Sequence, residues 1–424
     1  MSIRKRRWQS PKGEREAWVL DYIDHKGRRR HKTFKTKGDA KSFRTTAEAE
    51  ISQGVHVTDR DTITIAEAAQ NWIAGCEEED LERTTLRGYE ALVNHAINPL
   101  IGHMRLNRFW VTDVVEFRKT LRNTPYADDF PVERFRGRKR SKDAVRRAVM
   151  ALGAIFGDAI LNSKAAHNPV AAEPKKSRRK GDARAKLKTR IEVGVHIPTN
   201  EEVRLIVENA KGWYANLIVT AVFTGLRASE LRGLRWRDVN LDKGHLEVRQ
   251  RADAWCVLGP PKSAAGFRTV PLTPTVISIL RDWRAKCPPN PFDLVFPSKK
   301  GTVAYYNNIR KSSVFPTMRA AGLMVESGKT DAKGNPKLQA KYPGLHALRH
   351  WYASWCINRV EDGGLGFSAK KVQERMGHST IQLTMDVYGH LFPTKNETEE
   401  LARGEAAFWL QQERDKSGSM ENDE

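Results

Sequence analysis

Over residues 15–35 the apolar residues alternate with polar ones, the two-residue period of a half-buried strand. REAWVLDYID (15–24) reads as a strand, HKGR (25–28) as a turn, and RRRHKTFKT (28–36) as a second strand with basic residues on one face. A helix then runs from about Gly38 to Gly54. From Thr62 the period changes to that of helices. Thr64 is placed to cap IAEAAQNWIAG, and Thr84 or Thr85 to cap a helix carrying Leu86, Tyr89, Val93 and Ile97, stopped by Asn98-Pro99. Thr112 starts VVEFRKTL. Ser141 starts a long helix whose stripe is Val145, Val149, Leu152, Phe156 and Ile160, with Arg146 and Arg147 on another face.

Between 173 and 197 the apolar period is lost and the chain reads as a basic linker. Beyond Pro198 the pattern is mixed. Helices are expected at 199–211, 214–224 and about 228–235, strands near 245–251 and 267–271, and helices from there onward. The segment after residue 400 reads as a helix with an apolar patch at Leu401, Phe408, Trp409 and Leu410, followed by a disordered tail. The fold class expected is multidomain, mainly α with small β-sheets: 1–60, 61–172, the linker 173–197, an α+β domain over 198–400, and 401–424.

Composition narrows the partners. The chain has 424 residues, more than one hydrophobic core usually serves, and a formal net charge of +22. The charge falls in blocks: residues 1–60 hold 16 Lys and Arg against 8 Asp and Glu, and residues 134–190 hold 18 against 4. Separate basic blocks point to several contacts along a nucleic acid duplex. No apolar run approaches the ~20 residues that cross a bilayer, and the basic N-terminus is followed by no apolar stretch, so neither a membrane span nor a secretion signal is expected. Four scattered cysteines (Cys76, Cys256, Cys287, Cys356) fit a reducing compartment, with no disulfide or zinc framework.

Four stretches of the last domain carry candidate chemistry. TGLRASEL places Arg227 between a helix-breaking Gly225 and the next helix. PPKSAAGFRTVPL reads as a hairpin with Lys262 at its tip. GLHALRH sets His346 and Arg349 three apart, on one helical face. MGHSTIQLTMDVYGHL puts His378 at a helix start and Tyr388 ten residues later. Each alone has an ordinary structural reading: an Arg227–Glu230 pair, a solvated loop lysine, a core histidine, a core aromatic. The order and spacing of the set change the picture.

Over about 198–400 the chain resembles the catalytic domain of the tyrosine recombinases of the phage-integrase family, on TGLRxSEL, HxLRH, GHS and a final YGH. More weakly, the earlier segments resemble that family's three-stranded arm-site-binding module (1–60) and helical core-site-binding domain (61–172). The resemblance implies that Arg227 and Arg349 bind the phosphate, Lys262 is the hairpin lysine, His346 and His378 are the two site histidines and Tyr388 is the nucleophile. Ala347 stands where many relatives carry Asp, and Lys262 is spaced differently from the following strand than in some relatives.

The chemistry suits these roles. A phosphodiester is already anionic, so attack on it needs fixed cations around the transition state. Two guanidiniums clamp the non-bridging oxygens with forked hydrogen bonds that lysine cannot imitate. A phenol with a pKa near ~10 is protonated at neutral pH; His346 is the expected proton acceptor, Lys262 the proton donor to the leaving 5′-oxygen, and His378 a hydrogen-bond partner of the phosphate. The expected product is a 3′-phosphotyrosyl link later attacked by a 5′-hydroxyl, with no ATP, metal or other cofactor.

Rival readings stay open on the residues alone. His346 and His350 have the spacing of zinc ligands on a helix, but HALRH lacks the Glu of HExxH hydrolases. A DNA-binding regulator without catalysis explains the charge, and a type IB topoisomerase shares the chemistry. The basic module at 1–60 favours recombination, because a second DNA-binding head lets one protomer bridge two sites. The resemblance further implies double-stranded DNA attachment sites of core and arm type, a homo-tetramer on DNA joined through the C-terminal helix, an excision factor and a host DNA-bending protein as accessory partners, and the bacterial cytoplasm as location.

Overall fold

The computed structural model describes residues 1–10, 13–24, 26–174, 191–330 and 334–392, and residues 401, 402, 405, 406, 408 and 409 of the C-terminal segment. The chain divides into two compact units, Met1–Ser177 and Arg178–Glu424.

The first unit begins with three antiparallel strands in the order β1 (Ser2–Ser10), β2 (Gly13–Ile23), β3 (Arg29–Phe34). β2 pairs with both neighbours, Ile3 facing Leu20 and Trp18 facing Phe34. Helix α1 (Lys37–Ser52) is capped by Thr36 and covers the sheet, burying Val19, Leu20, Tyr22, Ala40 and Ala47. Beneath it the buried His56 joins Glu50 Oε2 (2.7 Å) to the Tyr22 hydroxyl (3.1 Å). The three-stranded sheet implied by the resemblance is present; the residue pattern by itself gave only two of its strands, because β1 is exposed and even Ile3 is only half-buried, so no apolar alternation marks it.

The helical part of this unit is α2 (Ile65–Glu78), α3 (Arg83–Leu92), α4 (Asn98–Ile101), α5 (Val111–Asn123) and α6 (Lys142–Leu161). Its core joins Ile65, Trp72, Ile97, Phe109, Phe117, Leu121, Leu152 and Phe156. Thr64 caps α2 with a reciprocal Glu67 bond, and Ser141 caps α6. Three expected boundaries move. α3 starts at Arg83 behind Glu82, whose carbonyl accepts from Thr85 and Leu86, so Thr84 and Thr85 lie inside the first turn. Asn98-Pro99 does not stop the helix: a π-turn at Val93–Ile97 carries it into α4, where Pro99 occupies a first-turn position that needs no donor. α5 starts at Val111, with Asp113 accepting from the Trp110 N–H at 2.8 Å, and not at Thr112.

The second unit holds α7 (Asn200–Asn209), α8 (Ala215–Thr224), α9 (Ala228–Gly233), β4 (Val239–Asn240), β5 (His245–Val248), β6 (Arg251–Ala252), β7 (Leu258–Gly259), β8 (Arg268–Pro271) and α10 (Pro274–Lys286). There follow α11 (Tyr306–Ile309), α12 (Phe315–Ala320), β9 (Met324–Thr330), β10 (Pro336–Ala340), α13 (Leu345–Ile357), α14 (Ala369–Met376) and α15 (Ile381–Tyr388). One core gathers Leu217, Ile218 and Val222 of α8 with Leu345, Leu348 and Tyr352 of α13 and Val372 and Met376 of α14. Glu202, partly buried in the first turn of α7, accepts from Lys341 Nζ (2.6 Å) and the Tyr342 hydroxyl (2.7 Å), which fixes the approach to α13.

Two expectations for this unit fail. The chain beyond residue 271 is not all helix: β9 and β10 form an antiparallel hairpin with Val325 facing Gln339. Its residues are mostly polar and exposed, so it lacks the apolar alternation that marks a strand. Nor do residues 260–267 form a hairpin. β7 pairs with β6, and β8 pairs with β5 in the sheet β4-β5-β8, so Lys262 lies on a connection between two sheets. Among the described residues no helix is long and apolar enough to cross a membrane. Most of the linker (175–190), Leu410 and the tail after it lie outside the described residues, while Leu401, Phe408 and Trp409 are exposed.

Gly225 ends α8 in the left-handed conformation (φ 61°), and a Cβ there would stand 2.3 Å from the Tyr352 ring. Gly225→Ala is expected to lower unfolding stability by roughly 2–4 kcal/mol, adding backbone strain to overpacking. Urea unfolding measures it; an unchanged midpoint would show that Tyr352 yields freely.

Candidate active site

The site starts where α8 stops. Past Gly225 the chain turns, and Arg227 stands at the head of α9, too short a helix to be held by its own ladder. Glu230 holds it. Its Oε2 accepts from the Arg227 backbone N–H at 2.9 Å and its Oε1 from Nη1 at 2.8 Å. Arg227 Nη2 donates to the Gly377 carbonyl at 3.0 Å. The pairing with Glu230 foreseen as the ordinary reading of Arg227 therefore exists. It orients the guanidinium, which remains partly exposed, without consuming all its donors.

Arg349 approaches from α13 and is 2% exposed. Its Nη1 donates to the Gly225 carbonyl at 2.5 Å and its Nη2 to the Met376 carbonyl. The two arginines are thus anchored on successive carbonyls, Met376 and Gly377, where α14 ends in a left-handed glycine (φ 60°). A third guanidinium completes the cluster: Arg268 of β8 grips Glu230 with Nη2–Oε2 at 2.8 Å and Nη1–Oε1 at 3.2 Å, and its Nε donates to the Arg375 carbonyl at 3.0 Å.

One buried carboxylate therefore faces three guanidiniums. Burial pushes the Glu230 carboxyl up, but Arg268, Arg227 and Arg349 outweigh it and hold its pKa down at about 2. Arg349 is pushed down to about 9, first by burial and then by Arg227 and Arg268, with Glu230 opposing. The surplus positive charge in this low-dielectric corner is preorganised for an anion.

Tyr388, the last residue of α15, is 2% exposed, and its hydroxyl lies 2.8 Å from His350 Nδ1. Burial raises the phenol to about 12, with Arg349 and Arg227 acting against it. His378 stacks its ring parallel to Tyr388, centroids 6.2 Å apart, and its Nδ1 meets the Thr384 hydroxyl at 2.9 Å. Burial and the three arginines push its pKa down to about 4. His346, at the exposed start of α13, packs edge-on against His350 at 4.3 Å; desolvation, Arg349 and Arg227 lower it.

Five of the six residues singled out from the sequence thus share one electrostatic cluster: Arg227, His346, Arg349, His378 and Tyr388. Lys262 does not join it. It stands exposed on the 260–267 connection with no hydrogen bond or ion pair to the described residues. Two details differ from expectation. The phenol's partner is His350, one turn beyond His346. And His378 follows the end of α14, while Thr380 caps α15. The sequence reading missed Glu230 as a hub, Arg268 entirely, and His350 except as a zinc candidate. The adjacent SEL and FRTVP stretches held the first two, but nothing in sequence spacing places a strand arginine on a helix carboxylate.

Residues 198–395 match the Phage integrase family. The tyrosine recombinase XerC-like protein of Caldanaerobacter subterraneus subsp. tengcongensis is 29% identical over 222 residues, 48% of this chain and 52% of that protein. The prophage integrase IntR of Escherichia coli K12 is 27% identical over 201 residues, covering 44% and 46% of the two chains. The chain thus spans about half the length of the curated relatives it matches. Among solved structures, a Tn1549 transposon integrase in complex with a circular intermediate DNA superposes with a TM-score of 0.56 at 16% identity, over 81% of this chain and 100% of that one, which establishes a shared multidomain fold. Every side chain of the cluster falls inside the matched segment, and it is over that segment, a little under half of the chain, that the chain is similar to the Phage integrase family.

Proposed function

We propose that the chain is a site-specific DNA recombinase, an integrase, in which Tyr388 attacks a phosphodiester held by Arg227 and Arg349. The observation that carries this reading is a buried tyrosine whose phenol lies within the field of two arginines anchored on adjacent carbonyls. The attack forms a 3′-phosphotyrosyl link and frees a 5′-hydroxyl; a 5′-hydroxyl from a partner strand then reverses the step on new DNA. The bond energy is kept in the ester, so neither ATP nor a metal ion is required. His378 and His346 contribute to the phosphate pocket. Lys262, on its exposed connection, supplies the leaving oxygen's proton once DNA draws that segment inward.

The matched relatives are named recombinases and integrases, and the transposon integrase was solved on DNA; the net charge of +22 suits the same partner here. Residues 1–60 bind arm-type sites and 61–172 core-type sites, with four protomers assembled on DNA, the C-terminal helix of each docking on a neighbour. An excision factor and a host bending protein complete the proposed set of partners.

Trapping on nicked duplexes of randomised sequence tests the reading. A denaturant-stable protein–DNA adduct joined at a 3′ end, formed in excess chelator without ATP, is expected. A chain that binds the pool yet forms no adduct would sink it.

A further inference from the structure

The phenolic oxygen of Tyr388 meets one imidazole nitrogen, His350 Nδ1, at 2.8 Å, with ring centroids 5.7 Å apart and planes at 61°. With the ring proton on Nε2, the phenol donates to Nδ1, and this is the tautomer in which His350 can take the phenolic proton. His350 sits one turn after His346 on α13, and the whole of that helix is locked by Arg349 and by the Tyr352 and Leu348 packing in the core. The acceptor is therefore held in place by tertiary structure before any substrate arrives.

The groups facing His350 come from three directions. His346 and Arg349 flank it on α13, His196 approaches from the segment before α7, and Tyr388 and His378 lie on the α15 side. Among the described residues none of these neighbours is a carboxylate, and burial together with His346, Arg349 and His196 brings its pKa down to about 4. A phosphodiester bound between Arg227 and Arg349 would add the missing negative charge beside the ring. Proton affinity would then rise at the moment the phenolic proton must leave.

We propose that His350, rather than His346, is the catalytic proton acceptor for Tyr388. This rests on the reading of the chain as a strand-exchange enzyme. In cleavage the Tyr388 Oη–P bond forms as the P–O5′ bond breaks; the phenolic proton passes to His350 Nδ1, and the departing 5′-oxygen takes a proton from the Lys262 ammonium. In rejoining, the attacking 5′-hydroxyl gives its proton to the Lys262 amine, and His350 returns the other to the leaving phenolate. No electrons or protons are left over.

The test uses the full chain on a nicked duplex that the wild type cleaves, made with either oxygen or sulfur at the scissile 5′ position. Sulfur leaves without a proton donor, so it separates the two proton transfers. His350→Ala is expected to slow covalent adduct formation by about 10²-fold on both substrates, the usual share of a general base, with DNA affinity unchanged and partial rescue by added imidazole. Lys262→Ala should be slow on oxygen and restored on sulfur. A His350→Ala defect that sulfur restores, or a wild-type rate, overturns the proposal. Should the alanine variant fail to fold, His350→Asn retains an acceptor near the Nδ1 position without basicity: slow cleavage on both substrates supports proton transfer, and wild-type cleavage refutes it. Absence of any Tyr388-linked adduct from the wild type would instead remove the underlying reading.

Discussion

Tyr388→Phe is expected to yield no covalent DNA adduct while binding DNA as tightly as the wild type. The substitution removes one oxygen from a side chain that is 2% exposed and leaves the ring beside His378 in place. Affinity for duplex DNA comes mainly from cationic contacts to phosphates, and the variant keeps all 73 Lys and Arg residues. The folding cost is one hydrogen bond to His350, on the order of 1 kcal/mol. Loss of chemistry without loss of binding or folding is therefore the signature, read by gel shift and denaturing gel in parallel. An adduct formed by the phenylalanine variant would assign the nucleophile elsewhere.

The second large effect is on stability. Glu230 is 3% exposed and neutralises Arg268, which is itself nearly buried, while it orients Arg227. Glu230→Gln keeps the shape and removes the charge, stranding a buried guanidinium, and removal of one partner of such a pair costs about 3–5 kcal/mol. For a folding unit of this size that corresponds to a fall in Tm of roughly 6–20 °C. The pH dependence follows from the depressed carboxyl. With a folded-state pKa of about 2 against an ordinary 4.5, the stabilisation is fully present above 4.5 and fades as pH falls from 4.5 towards 2. The gap between wild type and variant should narrow over that window in thermal scans. A variant as stable as the wild type at neutral pH would mean that Glu230 is not the hub its contacts describe.

Glu230 also shows why the site was only partly legible in the sequence. Arg227, His346, Arg349, His378 and Tyr388 stood out because each lies in a short stretch whose residue order is distinctive. Glu230 lies in the same TGLRASEL stretch as Arg227 and was legible as its local partner, but its pairing with Arg268 spans 38 residues and joins a strand to a helix, so no local signature marks it. His350 was visible, but helical spacing alone offers it as readily to a metal as to a phenol. Only the fold of α15 back onto α13 chooses between them.

What the sequence determined by itself is whatever local physics decides. The side-chain caps at Thr64 and Ser141, the apolar stripe of α6, the helix break at Gly225 and the blocks of positive charge all follow from residues within a few positions of one another. The tertiary structure decided what depends on distant partners. Exposed β1 and the β9–β10 hairpin form because neighbouring strands satisfy their backbone groups, with little apolar pattern to announce them. The partner of β8, and hence the position of Lys262 between two sheets, was likewise settled by pairing. So was the anchoring of both arginines on Met376 and Gly377, because a backbone carbonyl carries no residue identity and becomes an acceptor for a remote guanidinium only once the helices have packed.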